Sequence, residues 1–130
     1  LYKNRDVKTD VVIKSDMPFI KSIQSKACDI SVSASAEKSF SLELFGLKIS
    51  FNADDKILQC LDKSAPLKCE NGTVDLRIIF DTLYTEIFAD FGTVFMGMTY
   101  IADSNLNSLS IESKNATIHN IRVSELNSIH

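Results

Sequence analysis

From about residue 28 onward the chain alternates apolar and polar side chains, a period of two that belongs to half-buried strands and not to helices. Asp29-Ile30-Ser31-Val32-Ser33-Ala34 alternates without a break, and Phe40-Ser41-Leu42-Glu43-Leu44 does the same. Gly46 interrupts the pattern and Leu47-Lys48-Ile49-Ser50-Phe51 resumes it. The turn cluster Asn52-Ala53-Asp54-Asp55 precedes a short strand from Ile57 to Leu61, and Asp62 to Gly72, with Pro66 inside it, reads as a loop. Val74-Asp75-Leu76-Arg77-Ile78-Ile79-Phe80 is the strongest strand pattern in the chain. Tyr84 to Ala89, Thr93 to Ile101, Leu109 to Glu112 and Ile118 to Val123 complete about nine strands. The one expectation of helix is a turn near Met17 to Ser25.

Many short strands with no long helix bury their apolar faces as a sandwich or a closed barrel. The expected fold is all-β, a two-sheet antiparallel sandwich of galectin-like or jelly-roll type. A chain of 130 residues, 45% hydrophobic and 24% charged, has material for one core and is read as a single domain over 1–130, with 1–25 as a linker or first-strand region. It opens on Leu1-Tyr2-Lys3-Asn4-Arg5-Asp6, with neither Met nor a leader pattern, which reads as a piece of a longer protein. That leaves the compartment open between secreted or cell-surface and cytoplasmic.

A tight turn at Asp81-Thr82-Leu83-Tyr84, with two loop residues, sets a register for the central hairpin. Phe80 then faces Thr85, Ile78 faces Ile87 and Leu76 faces Ala89, which makes one apolar face. The opposite face carries Ile79, Tyr84 and Phe88 beside Arg77 and Glu86. In the next strand Val94, Met96, Met98 and Tyr100 share one face, and Phe95 and Ile101 the other. A water-washed face alternates more strictly than this. Two readings fit: Ile79, Tyr84 and Phe88 are apolar groups tolerated on the exposed face of central strands, or they are partner-facing, covered by a surface outside this chain.

Material for catalysis is thin. In the hairpin register Asp81 and Glu86 lie diagonally on the outer face, about 7–8 Å apart. Carboxylate pairs at such spacing serve glycosidases. The competing reading is structural: Asp81 opens a turn, where Asp bonds to backbone, and Glu86 forms a cross-strand ion pair with Arg77. Cys60 and Cys69 flank a loop that a disulfide would close, the alternative being two free, partly buried thiols; an odd total of three Cys leaves at least one unpaired within the chain. His119 has no second ligand at metal spacing, so neither a metal nor a cofactor is expected. Trp is absent, and of Tyr2, Tyr84 and Tyr100 the best stacking platform for sugar is Tyr84, although a tyrosine beside a turn more often serves packing. A net charge of −3 speaks against nucleic acid, and no apolar run approaches the roughly 20 residues of a bilayer span.

The stretch from Leu76 to Gly92, LRIIFDTLYTEIFADFG, resembles the C-terminal β-sandwich of the invertases, levanases and inulinases, glycoside hydrolase family thirty-two. That family has a strand ending in Asp, four residues, Glu, a hydrophobic residue, Phe, and a turn closing on Gly. Asp81, Glu86, Phe88 and Gly92 fall on those positions. Ile121 to Ile129 is similar to the family's closing strand and its Glu-Leu tail. The chain departs from the pattern at Thr82, at Asp90-Phe91 and at His130. The resemblance implies a glycoside hydrolase parent acting on sucrose or fructans, with its catalytic five-bladed propeller upstream. The propeller's Asn-Asp-Pro, Arg-Asp-Pro and Glu-Cys motifs do not occur here, so no catalytic residue is carried over. The partners implied are that propeller, a weak carbohydrate contact and a second copy of the chain; the rival reading is a free-standing carbohydrate-binding module for fructans.

Overall fold

The computed structural model describes residues 2–126. Leu1 and the tail residues Asn127, Ser128, Ile129 and His130 lie outside the described residues, as do the side chains of Tyr2 and Lys3. The described residues form twelve strands: β1 (Tyr2–Lys14), β2 (Phe19–Ser22), β3 (Cys28–Ser35), β4 (Phe40–Leu44), β5 (Leu47–Asn52), β6 (Ile57–Cys60), β7 (Lys63–Pro66), β8 (Thr73–Phe80), β9 (Tyr84–Ala89), β10 (Val94–Thr99), β11 (Ser108–Glu112) and β12 (Asn115–Leu126). They form two six-stranded antiparallel sheets, ordered β1-β12-β3-β8-β9-β10 (sheet A) and β2-β11-β4-β5-β6-β7 (sheet B). The only helical piece among the described residues is a 3-10 turn at Glu70–Gly72.

Alternation decides which side chains fill the space between the sheets. Sheet A contributes Ile30, Val32, Leu76, Ile78, Phe80, Ile87 and Met96, and sheet B contributes Leu42, Leu44, Ile49, Phe51, Leu58 and Ile111, all buried. The central hairpin has the register its turn demands: Leu76 opposite Ala89, Ile78 opposite Ile87, Phe80 opposite Thr85. Asp81 N donates to Tyr84 O at 3.0 Å and closes the turn. Phe45 and Gly46 form a second two-residue turn, with φ of 51° and 89°, the left-handed pair that matches strand twist.

Two elements, β7 and β2, depart from the sequence reading, and residues 2–14 take its first-strand alternative; all three lie where alternation is weak. Residues 62–72 are not a continuous loop; Lys63–Pro66 pairs with β6 as the outer strand of sheet B. Pro66 is tolerated there because an edge strand has one side without ladder bonds. The helical turn expected near Met17 to Ser25 is instead β2, paired with β11. Residues 2–14 are a long edge strand on β12, rich in charge, which blunts an open sheet edge against further pairing. The strand total rises from about nine to twelve for this reason.

Candidate functional site

The outer face of sheet A carries the residues that the sequence singles out. Tyr84 and Phe95 are exposed at 47% and 53%, while Ile79 and Phe88 are half-buried. Phe88 stands opposite Phe95 across β9 and β10, with ring centroids 5.2 Å apart. Between Tyr84 and Phe95 the strand has Gly97, where a Cβ would run into the Tyr84 hydroxyl and crowd the Phe95 ring. An isolated Gly within a strand marks a close approach, and here the approach is by two aromatic rings. The result is an aromatic strip across β9 and β10, with Ile79 beside it on β8. Apolar surface of this kind gains about 25 cal/mol per Å² when it is covered.

The carboxylates of this face are not assembled for catalysis. Asp81 Oδ1 accepts from Thr82 N at 2.7 Å and Thr82 Oγ1 at 3.1 Å, so its side chain is occupied by the turn. Glu86 is half-buried opposite Ile79. The carboxylate that Arg77 grips is Asp29, not the expected Glu86: Nε to Oδ1 is 3.1 Å and Nη2 to Oδ2 is 2.8 Å. The reason is topological. β8 lies between β9 and β3, and β3 brings a buried Asp29 to the diagonal position on the other side. A planar guanidinium takes a bidentate carboxylate in preference to looser contacts. Gly92 closes the β9–β10 turn at φ +88°, and Asp90 within that turn accepts from Lys68 N at 2.6 Å, tying the segment after β7 to sheet A.

Cys28, Cys60 and Cys69 are free and buried. Cys60 and Cys69 are separated by a strand and a turn in place of the loop that a bridge would close, and Cys60 Sγ packs 3.4 Å from Met98 Sδ of the opposite sheet. Burial pushes the Cys60 thiol up to about 11. Burial, with the charge of Glu125 behind it, pushes Cys28 up to about 12, and burial raises Cys69 as well. The thiolate fraction at neutral pH falls by about a hundredfold for Cys60 and by more for Cys28. The folded protein is therefore expected to show no fast-reacting thiol with an aromatic disulfide reagent and three after denaturation, with equal gel mobility with and without reductant. A fast native thiol, or a mobility shift on reduction, contradicts this. Among the described residues no group of three His, Cys, Asp or Glu side chains is placed to hold a metal ion, and His119 is exposed.

Glu125, the Glu of the Glu-Leu tail, has a structural role that its place in the sequence does not show. It is buried at 4% exposure near the end of β12 and accepts from the backbone N–H of Gln24 (2.6 Å) and Ser25 (2.9 Å) and from Asn4 Nδ2 (3.3 Å). Burial alone raises its carboxyl, but these three donors and the charge of Lys21 outweigh it and hold the group below the ordinary carboxylate value. Alternation carries no signal for the roles of Asp29, Glu125 and Gly97, whose partners come from other strands.

No known sequence family matches the chain, and no curated protein matches it by sequence. Solved structures do. A fructofuranosidase from Schwanniomyces occidentalis complexed with fructose superposes on 98% of this chain at TM-score 0.79 and 15% identity. An exo-inulinase from Aspergillus awamori covers 98% at TM-score 0.74 and 13% identity. The fold is that of the C-terminal β-sandwich of these glycoside hydrolases. The chain spans 34% and 29% of those two structures' own lengths, about a third in each case. The galectin LEC-6 of Caenorhabditis elegans matches 92% of this chain and 96% of its own at TM-score 0.66 and 13% identity, which places the sandwich in the galectin-like class.

Proposed function

We propose that this chain is the noncatalytic accessory sandwich of a β-fructofuranosidase-type glycoside hydrolase, bracing a catalytic propeller in the same protein. The observation that carries the reading is the extent of the match: nearly all of this chain corresponds to about a third of a fructofuranosidase. The aromatic strip of sheet A supports it, since Ile79, Tyr84 and Phe88 present apolar surface that the domain's own core does not use. A covering surface from the propeller removes that surface from water. The parent acts on sucrose, its phosphate, inulin or levan in this reading, and the sandwich contributes no reacting group.

Two measurements test it. Sequencing the gene upstream of the Leu1 codon is expected to reveal a propeller with an Asn-Asp-Pro motif; a start codon with no preceding domain rules the reading out. The isolated chain is expected to release no fructose from sucrose, inulin or levan above a denatured control. Release that is abolished in Glu86→Gln overturns the noncatalytic assignment.

The second reading is the free-standing carbohydrate-binding module. Its supporting observation is that the galectin match takes in nearly the whole of both chains, so that a sandwich of this size stands as a complete protein there.

A further inference from the structure

The two sheets have four outer strands, and three of them are blunted against further pairing. β1 carries Arg5, Asp6, Lys8, Asp10 and Lys14. β2 is four residues long, with Lys21 bridged to Asp6, and β7 holds Lys63 and ends on Pro66. β10 has none of these devices: from Phe91 to Ala102 the chain has no charged residue and no proline.

The phase of the ladder fixes which backbone groups of β10 are free. Thr99 stands opposite Tyr84, so Tyr100 comes opposite Leu83, and Tyr100 N donates to Leu83 O at 3.3 Å. Bonded and unbonded positions alternate along an antiparallel strand. Met98, Met96 and Val94 therefore bond to β9, and Phe95, Gly97 and Thr99 direct their N–H and C=O to the open edge. The neighbouring hairpin has the matching phase. Asp81 N donates to Tyr84 O, which turns Tyr84, Glu86 and Phe88 toward β8 and leaves Thr85, Ile87 and Ala89 for β10. Among the described residues nothing pairs with the free side of β10. Exposed apolar side chains gather along it: Phe91 (70%) before the strand, Phe95 within it, Ile101 (73%) after it, and Leu83 and Tyr84 on β9 and its turn.

This edge suits a second copy of itself. In a two-fold pairing each residue near the axis meets its own counterpart, so any charge there meets an equal charge. β10 has no charge to repel its copy. With Gly97 on the axis, Gly97 meets Gly97 of the second copy and Phe95 of each strand meets Thr99 of the other. All three open positions then find open positions. Gly97 is also where the Tyr84 hydroxyl and the Phe95 ring close in, the ring 3.0 Å from where a Cβ would stand. The rings of both copies thus meet over an axis that holds no side chain of its own, and Phe91 of each copy comes toward Ile101 of the other.

We propose that β10 is a self-pairing edge: two copies of this chain join β10 to β10 antiparallel, with Gly97 on the two-fold axis, and so merge their A sheets into one. One strand pair with flanking rings lies at the small end of specific interfaces, about 1,200 Å² in total, so the association is of micromolar strength. The inference goes beyond the accessory reading, which concerns what covers the outer face of sheet A and not what lies beside its edge.

Sedimentation equilibrium of the 130-residue chain, from about 1 µM to about 1 mM, is expected to show a monomer–dimer equilibrium. Amide hydrogen exchange is expected to slow with concentration at Phe95, Gly97 and Thr99, while β1 keeps its rates. Thr99→Pro removes an N–H that only the dimer uses, once in each copy, and is expected to weaken association by about tenfold or more with an unchanged monomer melting temperature. Thr99→Lys keeps that N–H, sets a charge on the edge and is expected to weaken association by about tenfold as well. A chain that stays monomeric at about 1 mM overturns the inference and leaves β10 to a strand of another protein. A dimer that Thr99→Lys leaves intact, or one that protects β1 and not β10, overturns it too. None of these outcomes bears on the upstream gene sequence or on fructose release, so the two proposals fail separately.

Discussion

Phe80→Ala is expected to destabilise the domain by about 3–5 kcal/mol, against a total stability of about 5–15 kcal/mol for a chain of this kind. Phe80 ends the strongest strand and is 1% exposed. Its ring meets Phe45 of the opposing sheet's turn edge-on at 5.1 Å and Tyr100 at 6.3 Å. The three rings close one end of the sandwich. Phe45 O accepts from the Tyr100 hydroxyl and from Asp103 N, both at 3.0 Å, and the Lys26 ammonium sits 3.9 Å from the Phe45 ring centroid. Truncating the central ring leaves a cavity that the two flanking rings, held by these bonds, cannot collapse to fill. Phe95→Ala is the control. It removes a ring of the same size from the outer face, 53% exposed, and is expected to cost about 1 kcal/mol. Urea unfolding of the two variants beside the parent chain makes the comparison. Equal losses at the two positions contradict the assignment of inner and outer faces.

The second large effect is expected at Glu125, where Ala costs about 2–4 kcal/mol by leaving the N–H groups of Gln24 and Ser25 without their acceptor. The carboxyl is held below its ordinary value, so the folded state binds its proton more weakly than the unfolded state does. Its contribution is therefore complete above the unfolded carboxylate value and is lost as pH falls through the lowered one. Glu125→Gln keeps the shape and one acceptor, loses part of the stability at neutral pH, and removes this group's share of the acid dependence. Urea midpoints of the parent and Glu125→Gln, followed from neutral pH down to about pH 3, are expected to converge on acidification. Curves that stay parallel mean that Glu125 does not titrate with unfolding.

The two predictions differ in how much of their basis can be read along the chain. Phe80 announces itself: the strand from Val74 to Phe80 alternates, the two-residue turn after it fixes the hairpin register, and the buried face follows by counting. The same reasoning placed Ile79, Tyr84 and Phe88 on the outer face and Met96 and Met98 on the inner one. Glu125 is marked along the chain only as the Glu of the Glu-Leu tail, which says nothing of its donors. Its donors lie about a hundred residues away in sequence, and only the docking of β12 beside β3 brings the segment between β2 and β3 to it.

The period of two determined the fold class, the core face of each interior strand and the central hairpin, because each is settled by burial and turn geometry within a few residues. Tertiary structure decided the rest. The edge strands β1, β2 and β7 became strands because a neighbour offered a ladder; an edge needs little apolar surface of its own and so leaves little pattern. Arg77 chose Asp29 because β3, 48 residues away, is its strand's other neighbour. A polar row crosses the outer face of sheet B because four separate pairings put Glu112, Ser41, Ser50, Gln59 and Ser64 abreast. Alternation says that such residues point outward, but which of them stand side by side depends on strand order and register, which are properties of the whole sheet.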